Sequence, residues 1–240
     1  MIVVTLTSWT KRINHCKDVI KSILDNTMKP HRVYLNLSLE EFPNKLNDLP
    51  VDLISFIKKE PSVIINWVNG ENTKTMKKVF PILKYLNDDD IIIYTDDDIL
   101  FPKDLIEKRI NEFNRHKSPI TSVLNRYDHM LYGLKLSGVA SLVQKKMLKD
   151  WELFCNDEVI HTYEDDHVYT ILCFINGYFF QTAKHYPKYI LLRNYCKTTE
   201  YAASKINLYN AKNTDEILEK RYNELYKKNF KIDVQERDKR

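Results

Sequence analysis

The sequence predicts one α/β domain, with a mostly parallel central sheet flanked by helices. Strand-like runs alternate with helical stretches through the first half of the chain. The first run, Ile2-Val3-Val4-Thr5-Leu6-Thr7, is β-branched and lacks polar alternation, which suits a strand covered on both faces. The chain has 240 residues, 43% hydrophobic and 29% charged, enough for one large packed domain, and shows no internal repeat or linker.

The elements follow in order. Residues 16–24 form a helix, with Val19, Ile20, Ile23 and Leu24 at helical spacing. Pro30 announces a second strand at 33–37, and a third follows at 63–68. The fourth strand is Ile91-Ile92-Ile93-Tyr94. Residues 105–113 form a helix opened by Pro102 and capped by Asp104, with Leu105, Ile106, Ile110 and Phe113 inward. From about Pro119 the pattern is less regular: an apolar run at 120–124, then a stretch at 127–141 holding two of the four glycines. A strongly amphipathic helix follows at 167–176, with Val168, Ile171, Leu172 and Ile175 on one stripe and Gly177 ending it. Residues 178–182 read as another strand. The tail at 214–240 reads as a charged helix with Ile217, Leu218, Tyr222, Leu225 and Tyr226 on one side.

Composition excludes several classes. A net charge of +4, from 37 basic and 33 acidic residues, does not indicate nucleic acid. Four glycines leave no GxGxxG fingerprint and no GxxxxGK phosphate loop. Cys16, Cys155, Cys173 and Cys196 show no CxxC spacing, so neither a zinc ribbon nor a thioredoxin-like site is expected. No apolar run approaches the ~20 residues that cross a bilayer, and the first residues lack a secretory pattern. The expectation is a cytoplasmic protein. Its basic tail, with Lys227, Lys228, Lys231, Arg237 and Arg240, is able to touch the inner face of a membrane.

Two aspartate runs flank the fourth strand. Asp88-Asp89-Asp90 lie at its amino end and read as a turn. Asp96-Asp97-Asp98 lie at its carboxyl end, where ligands bind in open α/β sheets. Three carboxylates abutting a buried strand repel one another, and a cation would relieve that. In an extended chain Asp96 and Asp98 point to one side, roughly 6–7 Å apart, and so share one ion. Carboxylate-only ligands favour Mg²⁺ or Mn²⁺, whose shell substrate phosphates complete.

Glu164-Asp165-Asp166 precede the later helix, either as acids complementing its dipole or as a general base. Lys74, Lys77 and Lys78 follow the third strand, as solvated lysines or as partners of a diphosphate. Thr7, Ser8, Trp9 and Arg12 close the first strand at the same edge, where Trp9 suits stacking on a base and Arg12 a phosphate.

Together these residues resemble a glycosyltransferase of the GT-A fold, family 2-like, similar to small bacterial capsule or lipooligosaccharide transferases. The resemblance covers about residues 1–190. It rests on the run from Ile2 to Ile13, on Asn72-Thr73-Lys74 with Lys77-Lys78, on the DxD-like strand from Ile91 to Pro102, and on Glu164-Asp165 followed by a helix ending at Gly177. It implies a donor-binding half at 1–118, an acceptor and catalytic half at 119–213, and a tail at 214–240. Asp96 and Asp98 would bind Mn²⁺ or Mg²⁺, with His185 as a late third ligand and His167 as the other choice. Thr7, Ser8, Arg12, Lys74, Lys78, Asp96 and Asp97 would line the nucleotide site. Asp165 would be the base, with Asp166 its rival.

The implied reaction is inverting hexosyl transfer from a nucleotide-diphospho-sugar, with UDP the expected carrier, to a glycan or lipid-linked acceptor in polysaccharide biosynthesis. The Arg common in the longer form of the helix motif is absent. Three other readings compete. A haloacid dehalogenase-type phosphatase expects Thr or Val where this chain has Leu100, a sugar nucleotidyltransferase wants a glycine-rich basic loop near the start, and a cation-stabilised binding domain would need no chemistry.

Overall fold

Short apolar runs, too short for helices, pair into the sheet that organises the molecule. In the computed structural model, residues 1–70, 73–121, 137–155, 157, 165–183, 190–191, 217, 220–221 and 223–224 are described. The elements are β1 (Ile2–Thr7), α1 (Cys16–Leu24), β2 (Arg32–Ser38), α2 (Val51–Ile57), β3 (Val63–Val68), α3 (Phe80–Leu83) and β4 (Ile91–Tyr94). After them come β5 (Ile99–Leu100), α4 (Leu105–His116), β6 (Ile120–Thr121), β7 (Ser141–Gln144), α5 (Glu152–Cys155), α6 (Asp165–Ile175), β8 (Gln181–Thr182) and β9 (Ile190–Leu191).

Among the described residues, seven strands form the main sheet in the order β3-β2-β1-β4-β7-β6-β8, and β5 pairs with β9 in a second, two-stranded sheet. The pairs β1–β2, β2–β3 and β1–β4 are parallel, whereas β7 runs antiparallel to β4 and β6. Val3, Val4, Leu6, Ile92 and Ile93 are fully buried in the middle of this sheet, each contributing ~1.5–3 kcal/mol of apolar burial. On α1, Cys16, Val19, Ile20 and Ile23 face inward at helical spacing.

The chain moves outward from β1 to β2 and β3, then returns to place β4 on the other flank of β1. That reversal leaves a crevice beyond the carboxyl ends of β1 and β4, where crossovers diverge to either side. β7 pairs Ser141 with Tyr94, which brings residues 137–140 against the same end of β4.

Several boundaries differ from expectation. The second and third strands do not follow one another directly, because α2 intervenes; parallel neighbours need a crossover. Asp104 stands at the N-cap of α4 without a side-chain cap bond and pairs with Lys108 instead, at 2.6 Å. The buried first-turn amide of Ile106 is satisfied by Asn26, whose Oδ1 accepts from it at 3.0 Å. The strand expected at 178–182 is reduced to Gln181–Thr182, and the helix expected from 167 begins at Asp165. Of the run expected at 120–124, only Ile120–Thr121 lies among the described residues. In the tail, Ile217, Lys220, Arg221, Asn223 and Glu224 are helical, and Arg221 donates from Nε and Nη2 to Asp157 Oδ2 at 2.9 and 2.7 Å. No helix among the described residues is long and apolar enough to cross a membrane.

α4 ends on Lys117, which is left-handed at φ 54° and donates its N–H to Phe113. Glycine takes that conformation without the Cβ penalty, and the Lys117 ammonium makes an exposed bond to Asn114 and lies 5.3 Å from the centre of the Phe113 ring. Lys117→Gly is therefore expected to raise the melting temperature by about 1–4 °C in a calorimetric scan. A lower melting temperature would contradict this account of the helix end.

Candidate active site

The crevice is built from the ends of β1 and β4. After Tyr94 the chain stays tied to the sheet for one residue, as Thr95 N–H donates to Thr5 at 3.0 Å. It then turns at Asp97-Asp98 rather than continuing extended. The three aspartates separate as a result. Asp97 faces inward, is 5% exposed, and accepts from Ser8 Oγ at 2.6 Å. Arg12 pairs with Asp97 Oδ1 and reaches Asp98 Oδ2 at 3.0 Å. Burial pushes the Asp97 carboxyl up to about 6, against the opposing pull of Arg12 and Ser8. Burial also raises Asp98, and the neighbouring charge of Asp96 adds to it. The Asp96 side chain is 42% exposed and faces the crevice.

Lys78 is not the solvated lysine that was one of the two expectations; it is buried on carboxylates. It ends a 3₁₀ turn, Lys74–Lys78, and is 3% exposed. Its Nζ lies 2.6 Å from Asp96 Oδ1 and 2.7 Å from Asp165 Oδ2, so one ammonium joins the end of β4 to the start of α6. Burial alone would push Lys78 down, but Asp165, Asp96 and Asp166 outweigh it and hold the ammonium charged. Tyr94 and Tyr169 wall the pair edge to face, with ring centres 5.2 Å apart. Lys77 is also buried, on Glu41 at 2.6 Å.

The fourth wall is Gly138, which the sequence reading did not single out. Its carbonyl accepts from Asp96 N–H at 2.7 Å, and its own N–H donates to Asp166 Oδ2 at 3.2 Å. A Cβ there would overlap all three carboxyl atoms of Asp96. Scarcity was the available signal: Gly138 is one of four glycines, in a stretch with no helical stripe. Arg109, fully buried, holds the next turn by donating from Nε to the Ala140 carbonyl at 3.0 Å.

The remaining candidates lie around this centre. Thr7 Oγ1 donates to the Asn36 carbonyl at 2.8 Å. Trp9 is half-buried with Lys11 Nζ 5.4 Å from its ring centre. Lys74 is exposed, at φ 50°. His167 is half-buried on α6, and His185 lies outside the described residues.

The donor set fits a divalent cation of the open kind. Among the described residues no three His, Cys, Asp or Glu side chains are arranged to hold a metal. Asp96 and Asp98 nevertheless offer hard carboxylate oxygens at the crevice, close enough for the charge of Asp96 to disfavour that of Asp98. Among the described pairs, Asp96, Asp97, Asp98 and Asp165 meet Lys78 and Arg12. Two protein carboxylates suit Mg²⁺ or Mn²⁺ ions that complete their shell with water and substrate oxygens.

A parallel half-sheet with reversed strand order, closed by antiparallel β7 and carrying an acidic turn after β4, defines the GT-A class of fold, and this chain has that fold. Solved structures of the class superpose on it. The mannosyltransferase PcManGT from Pyrobaculum calidifontis, in complex with GDP-Man and Mn²⁺, matches with a TM-score of 0.54 at 14% identity. That match covers 75% of this chain and 54% of the mannosyltransferase, so this chain spans about half the neighbour's length. S. aureus TarS 1-349 matches at 0.53 and 11% identity, over 96% of this chain and 72% of the TarS fragment. The 2-C-methyl-D-erythritol 4-phosphate cytidylyltransferase of Francisella tularensis matches at 0.53 and 12% identity, over 80% and 93%. No family model matches the sequence, and no curated protein matches it.

Proposed function

We propose that the protein is a metal-dependent glycosyltransferase that moves a hexose from a nucleotide-diphospho-sugar, with UDP as carrier, to a hydroxyl of a glycan or lipid-linked acceptor. The observation that carries this reading is the single buried ammonium joining Asp96 at the end of β4 to Asp165 at the start of α6. It holds a donor-edge carboxylate and a helix-terminal carboxylate across one crevice, as a two-substrate reaction requires. The fold neighbours add support, since TarS 1-349 was solved with UDP-GlcNAc and the mannosyltransferase with GDP-Man.

Asp96 and Asp98 would hold the cation, which offsets charge on the departing diphosphate. Asp165 accepts the acceptor's hydroxyl proton while the acceptor oxygen bonds to the anomeric carbon. The bond from that carbon to the diphosphate oxygen breaks, and attack from the opposite side inverts the centre. The ammonium of Lys78 keeps Asp165 ionised until it takes the proton. Asp166 holds the Gly138 amide through Oδ2, which favours Asp165 over Asp166 as the base. Ser8 and Arg12 fix Asp97, so that the middle acid anchors the turn and its neighbours face the donor.

The test is thermal stability against a panel of nucleoside diphosphates and their sugars, with Mn²⁺ and with EDTA. Saturation at ~100 times the dissociation constant adds ~2.7 kcal/mol. A Mn²⁺-dependent rise with one nucleotide, absent from Asp98→Ala, is the expected outcome. No rise with any of them would remove the reading. The cytidylyltransferase likeness supports a second reading, nucleotidyl transfer, although residues 8–12 contain no glycine to cradle a triphosphate. A rise with CTP or another triphosphate, and none with diphospho-sugars, would favour it.

A further inference from the structure

The central strands carry polar side chains where a parallel sheet ordinarily buries Val, Ile or Leu. Thr5 and Asn36 are fully buried, and Asn66 stands beside Asn36 on β3. Their hydrogen bonds run in one direction. Asn66 Nδ2 donates to Asn36 Oδ1 at 2.8 Å, Asn36 Nδ2 donates to Thr5 Oγ1 at 2.8 Å, and Thr5 Oγ1 donates to the Lys78 carbonyl at 2.6 Å. Asn36 Nδ2 also approaches that carbonyl at 3.3 Å. Such a chain polarises along its length and strengthens the last bond. Its end point is the backbone of the residue whose ammonium joins Asp96 and Asp165.

We propose that Thr5, backed by Asn36 and Asn66, is a positioning residue that acts through Lys78. The proposal rests on the reading of Asp96 and Asp165 given above, and it says what makes that reading work. A lysine side chain has four rotatable carbons, so holding its nitrogen between two carboxylates requires a fixed backbone. The 3₁₀ turn is fixed from outside as well as from within: the Lys78 carbonyl is met by Thr5 and Asn36, and the Met76 carbonyl, which accepts from Val79 N–H at the end of the turn at 3.4 Å, also accepts from the Tyr169 hydroxyl of α6 at 3.2 Å. The turn is thus clamped between the sheet, which carries the donor edge, and the helix that carries Asp165. A single hydroxyl would satisfy one buried carbonyl. Three residues on three adjacent strands do more, because they tie the lysine's main chain to the whole parallel half-sheet.

Thr5→Val removes the hydroxyl at constant shape, and Thr5→Ser restores it. The test follows the Lys78 ammonium directly by nitrogen-15 NMR of lysine-labelled protein, with the resonance assigned by its loss in Lys78→Arg. In the wild type and in Thr5→Ser the ammonium should give a signal protected from water. In Thr5→Val its hydrogen exchange should quicken at least 10-fold, and turnover of the sugar nucleotide found in the binding panel should fall by a similar factor with its KM unchanged. Asn36→Leu should move both readouts the same way. Exchange and turnover in Thr5→Val equal to those of Thr5→Ser, with only the melting temperature altered, would overturn the proposal. The NMR measurement needs no nucleotide. A wild type that binds none would defeat the glycosyltransferase reading while leaving the Thr5–Lys78 linkage separately decided.

Discussion

Asp165→Asn is expected to slow sugar transfer by about 10²–10⁴-fold, the range lost when a general base is removed. The substitution keeps the shape and one oxygen for Lys78, which retains Asp96 as its charged partner at 2.6 Å. UDP affinity should therefore stay within a few-fold of wild type, and the loss should fall on kcat. Release of nucleoside diphosphate at saturating donor and acceptor measures it. Asp166→Asn is the comparison: its amide oxygen can still accept from the Gly138 N–H, which Asp166 holds at 3.2 Å, so turnover and donor binding should change little. A fast Asp165→Asn beside a slow Asp166→Asn would exchange the two roles.

Gly138→Ala should separate binding from folding. The added methyl overlaps the Asp96 carboxylate, and that carboxylate is the exposed end of a short side chain, free to swing outward. The backbone at Gly138 needs no left-handed conformation, so alanine fits the chain itself. The expected cost to the fold is small, a few degrees in melting temperature. The expected cost to the site is large. Asp96 leaves Lys78 and the cation position together, and Mn²⁺-dependent binding of a nucleoside diphosphate should weaken at least 100-fold, about 2.8 kcal/mol. Calorimetric titration of UDP in the presence of Mn²⁺ reads this directly. Unchanged affinity would mean that Asp96 does not face the donor.

The central sheet was legible because its strands are short, apolar and buried on both faces, so that Ile2–Thr7 and Ile91–Tyr94 announce themselves. α2 was not, since Val51-Asp52-Leu53-Ile54-Ser55-Phe56-Ile57 mixes its faces and only Leu53 is fully buried. β7 was hidden for another reason. Four residues, Ser141–Gln144, carry little periodicity, and their pairing with β4 depends on chain nearly 50 residues away.

In the site, the aspartates after β4 were legible from position alone. Their division of labour was not, because a turn at Asp97-Asp98 replaced the extended geometry that alternation assumes. The burial of Lys77 and Lys78 was not legible for a related cause: nothing in Lys74-Thr75-Met76-Lys77-Lys78 says which lysines are buried, since for Lys78 burial depends on carboxylates supplied by β4 and α6. Thr5, Asn36 and Asn66 looked like ordinary members of strands, and their shared acceptor exists only in three dimensions.

The reversed strand order also sets a timetable for synthesis. β1 ends at Thr7, but its second neighbour, β4, begins at Ile91. At ~5–20 residues per second a ribosome takes on the order of ten seconds to deliver it. Throughout that interval one side of an apolar strand has hydrogen-bonding groups and no partner, the condition under which nascent chains mispair. β2 and β3 can already be in register on the other flank by then, so the parallel half grows from one side. Residues 141–144 then bring in β7 and with it the glycine that shapes Asp96, and α6 completes the crevice after that with Asp165.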